Sequence, residues 1–376
     1  MSLLGTALEG IYRPRGGLWG WGGGRGTHAG KSVTVERALG LVPVFNAVSQ
    51  IAGAVGSLPL VVYERDGRNR QRAEGHMAWR LLHEKPNPEM AADELWEIVA
   101  SHIELWGNAF LFKRTEPGTG LTEQLWPISP DRVQVARDER QRRVFHIEGE
   151  TFGEDTILHI RGFSLDGLVG YSPIQLARNA IANQMSQEEF QGKFLRSGGK
   201  PAVLLRHPNR LKEDGQKRLK ASWDAVKAGE TAVLEEKIEV ERWTMPLGDA
   251  QFVEQMEFSD KRIAQLFVMR PGRVGAKTGD SMTYKNIESE ALDFVTFTLQ
   301  RRLTRIERAL GADPSIFPGG RSEFCEFLVD ALMRADLKER YEAYKVGIDA
   351  GFLDADEDVR PRENLAPRRA APGTTE

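Results

Sequence analysis

Apolar residues recur at Ile287, Ala291, Val295, Leu299, Leu303, Ile306 and Leu310, nearly always four apart, within the stretch from Thr283 to Leu310. This spacing lays one apolar face along a long amphipathic helix. A helical pattern also covers Val35 to Ile51 and is followed by Ser57-Leu-Pro-Leu60-Val-Val-Tyr63, which reads as a strand turning at Asp66-Gly67. A second helix is predicted from Ala92 to Trp106, stopping at Gly107-Asn108. Short strands follow at Ala109–Lys113, Gln124–Pro127, Val133–Ala136, Arg143–Ile147 and Ile157–Arg161. Helices beside antiparallel hairpins predict an α+β domain.

Ser172-Pro173 combines an N-cap hydroxyl with proline at the first helical position, and the helix it opens runs to Arg196 and ends at Gly198-Gly199. At 1.5 Å per residue such a helix spans about 37 Å, long for a domain helix. A small unit then lies between Pro201 and Gly248: strand Ala202–Leu205, helix Lys212–Lys227 and strands Thr231–Leu234 and Ile238–Trp243. A helix over Ala250–Val268 and a glycine-containing loop over 269–282 lead into the helix described first. Strand Ser322–Val329 and helix Asp336–Ala350, with Gly351 as its C′ residue, close the ordered part. Residues 1–30 form a glycine-rich arm, and the segment after Asn364 reads as a disordered tail. Two long helices flanking a compact insert suit a spoke in a ring better than an enzyme domain.

The chain has 376 residues, enough for two or three modules, and 40% hydrophobic content, enough for real cores. Its net charge is −3, from 51 basic and 54 acidic side chains, which argues against clamping nucleic acid by bulk charge. The one cysteine, Cys325, excludes an intrachain disulfide, fits a reducing cytosol and alternates with apolar neighbours as a buried strand residue. No run of 18 apolar residues is present, so no membrane span is expected, and the N-terminus lacks the apolar core of a secretory signal.

Catalytic signatures fail one by one. Gly272-Arg-Val-Gly-Ala-Lys277-Thr278 superficially matches a phosphate-binding loop, but Ala276 stands where glycine must precede the lysine, and a helix rather than a strand comes before it. Ser164 and Ser172 both lack the glycine two residues later that a nucleophile elbow needs; Ser172 is better explained as a helix cap. His102-Ile-Glu104 has the spacing of a zinc deaminase without its cysteine pair, no two histidines share a helical face, and His159 reads as a packed strand residue. No enzyme activity, cofactor or metal is expected.

The order of polar residues adds what periodicity lacks. Thr283-Tyr-Lys-Asn-Ile-Glu288, Phe294-Val-Thr-Phe-Thr-Leu299 and Arg305-Ile-Glu307 resemble the corresponding helix of tailed-bacteriophage portal proteins, in the long-tailed phage branch. Pro86-Asn87-Pro88, Trp106-Gly-Asn-Ala109, Trp126-Pro-Ile-Ser-Pro130, Leu158-His-Ile-Arg161, Gly167-Leu-Val-Gly-Tyr-Ser-Pro173 and Asp330-Ala-Leu-Met-Arg-Ala-Asp-Leu-Lys338 resemble further family elements, collinear over roughly residues 40 to 365. The resemblance implies a portal fold: an α/β wing (31–170 and 283–328), stem helices (171–198 and 249–268), a small α/β clip (199–248), a tunnel loop (269–282) and a short helical crown (329–376). It implies a structural conduit in the virion, assembled in the host cytoplasm: a self-associated dodecameric ring at one capsid vertex. Its partners would be double-stranded DNA bound without sequence preference, the large terminase, a head–tail adaptor and the major capsid or scaffold protein.

On that reading Arg270, Arg273, Val274, Lys277 and Thr278 line the tunnel loop, and Arg210, Lys212, Lys217, Arg218 and Lys220 form the terminase contact of the clip. Read from the residues alone, both basic sets are equally compatible with ordinary solvated surface. The chain departs from the family's Phe-Gly-Val-Pro-Pro, having Phe267-Val-Met-Arg-Pro271. Two other readings stand beside the conduit: a DNA-processing ATPase that shares these helices, and an adaptor or scaffold without a channel. Replacing both Val295 and Leu299 by aspartate is expected to abolish folding, because each buried charge costs several kcal/mol; circular dichroism would register the loss.

Overall fold

A computed structural model describes residues 27–67, 69–196, 203–206, 212–225, 239–242, 249–275, 290–329, 337–360 and 363. The first helical pattern divides at Gly40 into α1 (Val35–Leu39), capped by the Thr34 side chain, and α2 (Val42–Ser57). The buried face of α2, from Val44 through Ile51 to Val55, packs on α3 (Ala92–Trp106), whose own apolar stripe includes Leu95, Trp96, Val99 and Ile103.

Four antiparallel sheets are described. In one, β1 (Leu60–Asp66) lies between β2 (Asn69–Arg72) and β11 (Glu323–Phe327). In the next, β3 (Asn108–Thr115) lies between β4 (Thr122–Ile128) and β8 (Ile157–Arg161). A meander of β5 (Val133–Arg137), β6 (Arg143–Ile147) and β7 (Glu150–Phe152) packs Phe145 and Ile147 against Phe110, Trp126 and Ile128 to make a second, smaller core. The fourth sheet pairs β9 (Val203–Arg206) with β10 (Glu239–Arg242). Between those two strands in sequence comes α5 (Glu213–Ala225). The strand expected at Thr231–Leu234 lies outside the described residues, as do most of the glycine-rich arm, the start of the Thr283 helix and the end of the chain.

The helix that carries the four-residue spacing is described from Glu290, passes through a π segment at Phe294–Leu299, and continues as α7 (Gln300–Gly311). Each four-residue step overshoots an α-helical turn by about 40°. The wider i→i+5 turns of the π segment take up that drift, so Val295, Leu299, Leu303, Ile306 and Leu310 all reach the main core. At the edge of this face, Arg302 lies against Glu104 of α3, its Nε 2.6 Å from Oε1 and its Nη2 2.7 Å from Oε2. The Glu104 side chain is only 4% exposed. Arg302 also donates to the carbonyls of Thr298 and Phe267.

The long helix opened by Ser172 is interrupted. A short helix, Pro173–Leu176, ends at Ala177, and α4 (Arg178–Arg196) follows. Its partner α6 (Asp249–Leu266) returns beside it. The entry to α4 is held by a backbone crossing that admits no side chain. Gly107 caps α3 at φ +74°, where a Cβ would stand 2.3 Å from the Tyr171 carbonyl oxygen, and a Cβ on Gly170 would stand 1.8 Å from the Gly107 oxygen. Asn108 stitches the crossing: its Nδ2 donates to the Gly170 carbonyl at 2.8 Å and its Oδ1 accepts from the Gly170 N–H at 2.7 Å. Two of the motifs quoted above, Trp106–Ala109 and Gly167–Pro173, therefore meet at one structural joint. Glu104→Ala or Arg302→Ala leaves its partner's charge buried and is expected to cost about 3–5 kcal/mol, measurable as a lowered denaturant midpoint with an unchanged slope.

Candidate functional site

The residues singled out for chemistry resolve into structural roles. Ser172 caps the short helix, accepting from the Gln175 N–H at 3.2 Å and donating to the Leu105 carbonyl at 2.6 Å. His159 is buried against Phe110 and donates from Nε2 to Asn108 Oδ1 at 2.9 Å; burial holds its pKa well below the ordinary value. His102 meets Trp106 edge-on, and burial pulls its pKa down to about 4. Cys325 sits on β11 in the core, where burial pushes the thiol far up, so it is inert at neutral pH. Among the described residues no three His, Cys, Asp or Glu side chains are arranged to hold a metal ion. Among those residues, too, no helix is long and apolar enough to cross a membrane.

Two places remain. The first is the helix pair. On α4 the described buried side chains are Ile181, Ala182 and Gln184; on α6 they are Ile263 and Ala264. These lie where α4 leaves the body and α6 returns to it. Beyond them the pair is joined by polar contacts, Gln184 Nε2 to Asp260 Oδ1 and Ser259 Oγ to Gln187 Oε1, each 2.9 Å. Partial burial, and after it the neighbouring Asp260 charge, raises the Glu188 carboxyl; partial burial likewise raises Asp260. Phe190 and Phe258 are more than half exposed on the same helices.

The second place is the turn after α6. The helix ends in a Schellman arrangement, Met269 N–H to the Ala264 carbonyl and Val268 N–H to the Gln265 carbonyl. Its C′ residue is Val268, held at φ +58°, a conformation that a β-branched side chain resists. Thr298 Oγ1, from the π segment, donates to the Val268 carbonyl at 2.5 Å. A tight turn at Pro271–Val274 follows. Beside it lies a pocket of about 360 Å³, floored by Met269, Pro271, Phe294 and Phe297.

The residues expected to line a tunnel loop are placed differently from one another. Val274 is 3% exposed and packs in the main core, its turn in contact with α2. Arg270 pairs with Asp293 and lies 3.7 Å from Glu290. Arg273 stacks its guanidinium 4.2 Å above the Phe294 ring. Lys277 and Thr278 lie outside the described residues, as does Arg210 of the second basic set. Lys212, Lys217, Arg218 and Lys220 are exposed on and beside α5, with Lys217 2.9 Å from Glu213 one turn back. Sequence reasoning missed the acidic partners Glu290 and Asp293, seven and four residues before Phe297, because only the fold-back of the turn at Pro271–Val274 brings Arg270 to them.

A family model described as phage portal protein matches residues 43–364. The probable portal protein of Streptomyces phage phiC31 is 28% identical over 356 residues, 90% of this chain and 78% of that protein. The fold resembles that of an HK97-family phage portal protein from Corynebacterium diphtheriae, with a TM-score of 0.61 at 16% identity, over 80% of this chain and 98% of that one. It also resembles a chain from the neck of a native gene transfer agent particle computed with C12 symmetry, with a TM-score of 0.57 at 22% identity, over 87% and 91% of the two chains. Val268→Gly is expected to raise stability by about 1–2 kcal/mol, the cost of a left-handed L-residue, readable as a higher thermal midpoint.

Proposed function

The chain belongs to the phage portal protein family, and we propose that its copies close into a ring at one vertex of the head of a phage or prophage, a conduit for DNA packaging and ejection. The structural observation that carries this reading is the helix pair α4/α6, whose buried side chains, among the described residues, lie at its base. Two polar helices with so little shared core gain their stability from neighbours. A heterologous contact repeated with the right rotation supplies those neighbours and closes into a ring. A ring of twelve is the reading favoured by the twelvefold neck whose chain this fold resembles.

In this proposal residues 31–170 and 283–328 form the wing, 171–198 and 249–268 the stem, 199–248 the clip and 329–376 the crown. Sliding DNA must not be gripped, so its contacts are few, sequence-blind and directed to phosphate, in keeping with a net charge of −3. Lys277 and Thr278 of the tunnel loop supply such contacts. The exposed Lys212, Lys217, Arg218 and Lys220, together with Arg210, give the clip a basic face for the large terminase and later the head–tail adaptor. The wing meets the major capsid or scaffold protein.

Native mass measurement and electron microscopy of the purified protein test the reading together: a closed ring with a central opening is expected, and single chains in every buffer would sink it. In the assembled ring, Lys277→Glu is expected to leave the mass unchanged and to lower the yield of DNA-filled heads.

A further inference from the structure

The two arginines at the start of the tunnel loop are already engaged inside the chain. Arg270 is held by two carboxylates, Asp293 and Glu290. Arg273 donates from Nη2 to the Glu290 carbonyl at 3.3 Å, covers the Phe294 ring, and accepts at its own carbonyl from Gln50 Nε2 at 2.6 Å. Every one of these contacts joins the turn 270–275, where the chain leaves the body, to α2 or to the segment 290–294, where it returns. To meet a passing phosphate, the Arg270 guanidinium would have to leave two carboxylates for one anion, and so gains little by the exchange. The contacts are also local to the strained Val268, whose carbonyl is bound by Thr298 from the same returning segment.

We propose that Arg270 and Arg273 are positioning residues and not readers of DNA: with Glu290, Asp293 and Phe294 they form a clasp that pins together the two roots of the segment 276–289. This rests on the portal reading for its consequence, since pinned roots set where the tunnel loop enters the channel. Asp293 belongs to the machinery as fully as Arg270, which a phosphate-contact role for Arg270 would not require. The exposed Leu292 and Phe297 flank the clasp on the returning helix, so a loosened clasp also displaces an apolar surface.

The test compares Arg270→Glu, Asp293→Asn and the charge swap Arg270→Glu with Asp293→Arg. Hydrogen exchange is measured on peptides covering 265–275 and 290–299 of the full chain, and DNA-filled heads are counted after each variant replaces the wild-type gene in its phage. The clasp predicts that both single substitutions lose exchange protection and DNA-filled heads, although one adds and the other removes negative charge, and that the swap restores both. Asp293→Asn at wild-type protection and filling, or an Arg270→Glu defect that the swap leaves unrescued, overturns the proposal. If the wild-type chain forms no ring, the portal reading fails, while exchange on the single chain still decides whether the clasp exists.

Discussion

The fold depends first on one buried ion pair. Glu104 and Arg302 meet side-on in a bidentate contact, and the remaining guanidinium donors reach the carbonyls of Thr298 and Phe267. A buried charge is tolerable only when paired and hydrogen-bonded, and here the partners come from three separate elements: α3, the π segment leading into α7, and the end of α6. The pair therefore does more than join two helices. It fixes the return of α6 to the body, with a cation placed at the carbonyl end of that helix, where its dipole favours positive charge. A second buried pair, Lys113 with Asp313 at 2.5 Å, ties β3 to the turn after α7 in the same manner.

The other end of the helix pair is fixed by steric constraint rather than charge. Gly107, Gly162 and Gly170 let three backbone segments pass at distances no Cβ would permit, and Asn108 satisfies the polar groups left at the crossing. With both roots anchored, α4 and α6 start from a fixed base, and among the described residues the side chains beyond that base are not fully buried. That combination of a rigid base and an undersupplied surface is what a subunit needs if its neighbours complete it.

Much of this was legible in the sequence wherever a residue's role is local. The end of α3 at Gly107, the Ser172 cap and the closing residue Gly351, at φ +76°, follow from backbone preferences that need no partner. The strands β3, β4, β5, β6 and β8 appear within one or two residues of their expected places. The edge strand β2, Asn-Arg-Gln-Arg, and the three-residue β7 escaped notice because neither has an apolar alternation to read. The break at Ala177 escaped it too, since nothing in the local composition distinguishes that turn from the helix around it.

By itself the sequence determined the family-defining order of motifs, the α+β class and the apolar face of the Leu299–Leu310 helix, because each is carried by spacing along the chain. Only the tertiary structure decided what those charges do. Arg270 and Arg273 read as free cations in one dimension; in three they face Asp293, Glu290 and Phe294, which a fold-back of the chain brings within reach. Val274 likewise reads as a loop residue until the turn at Pro271 directs it into the core. The physical reason is common to both: a side chain's periodicity is set by its neighbours in sequence, but its electrostatic and steric partners are set by segments that folding brings together.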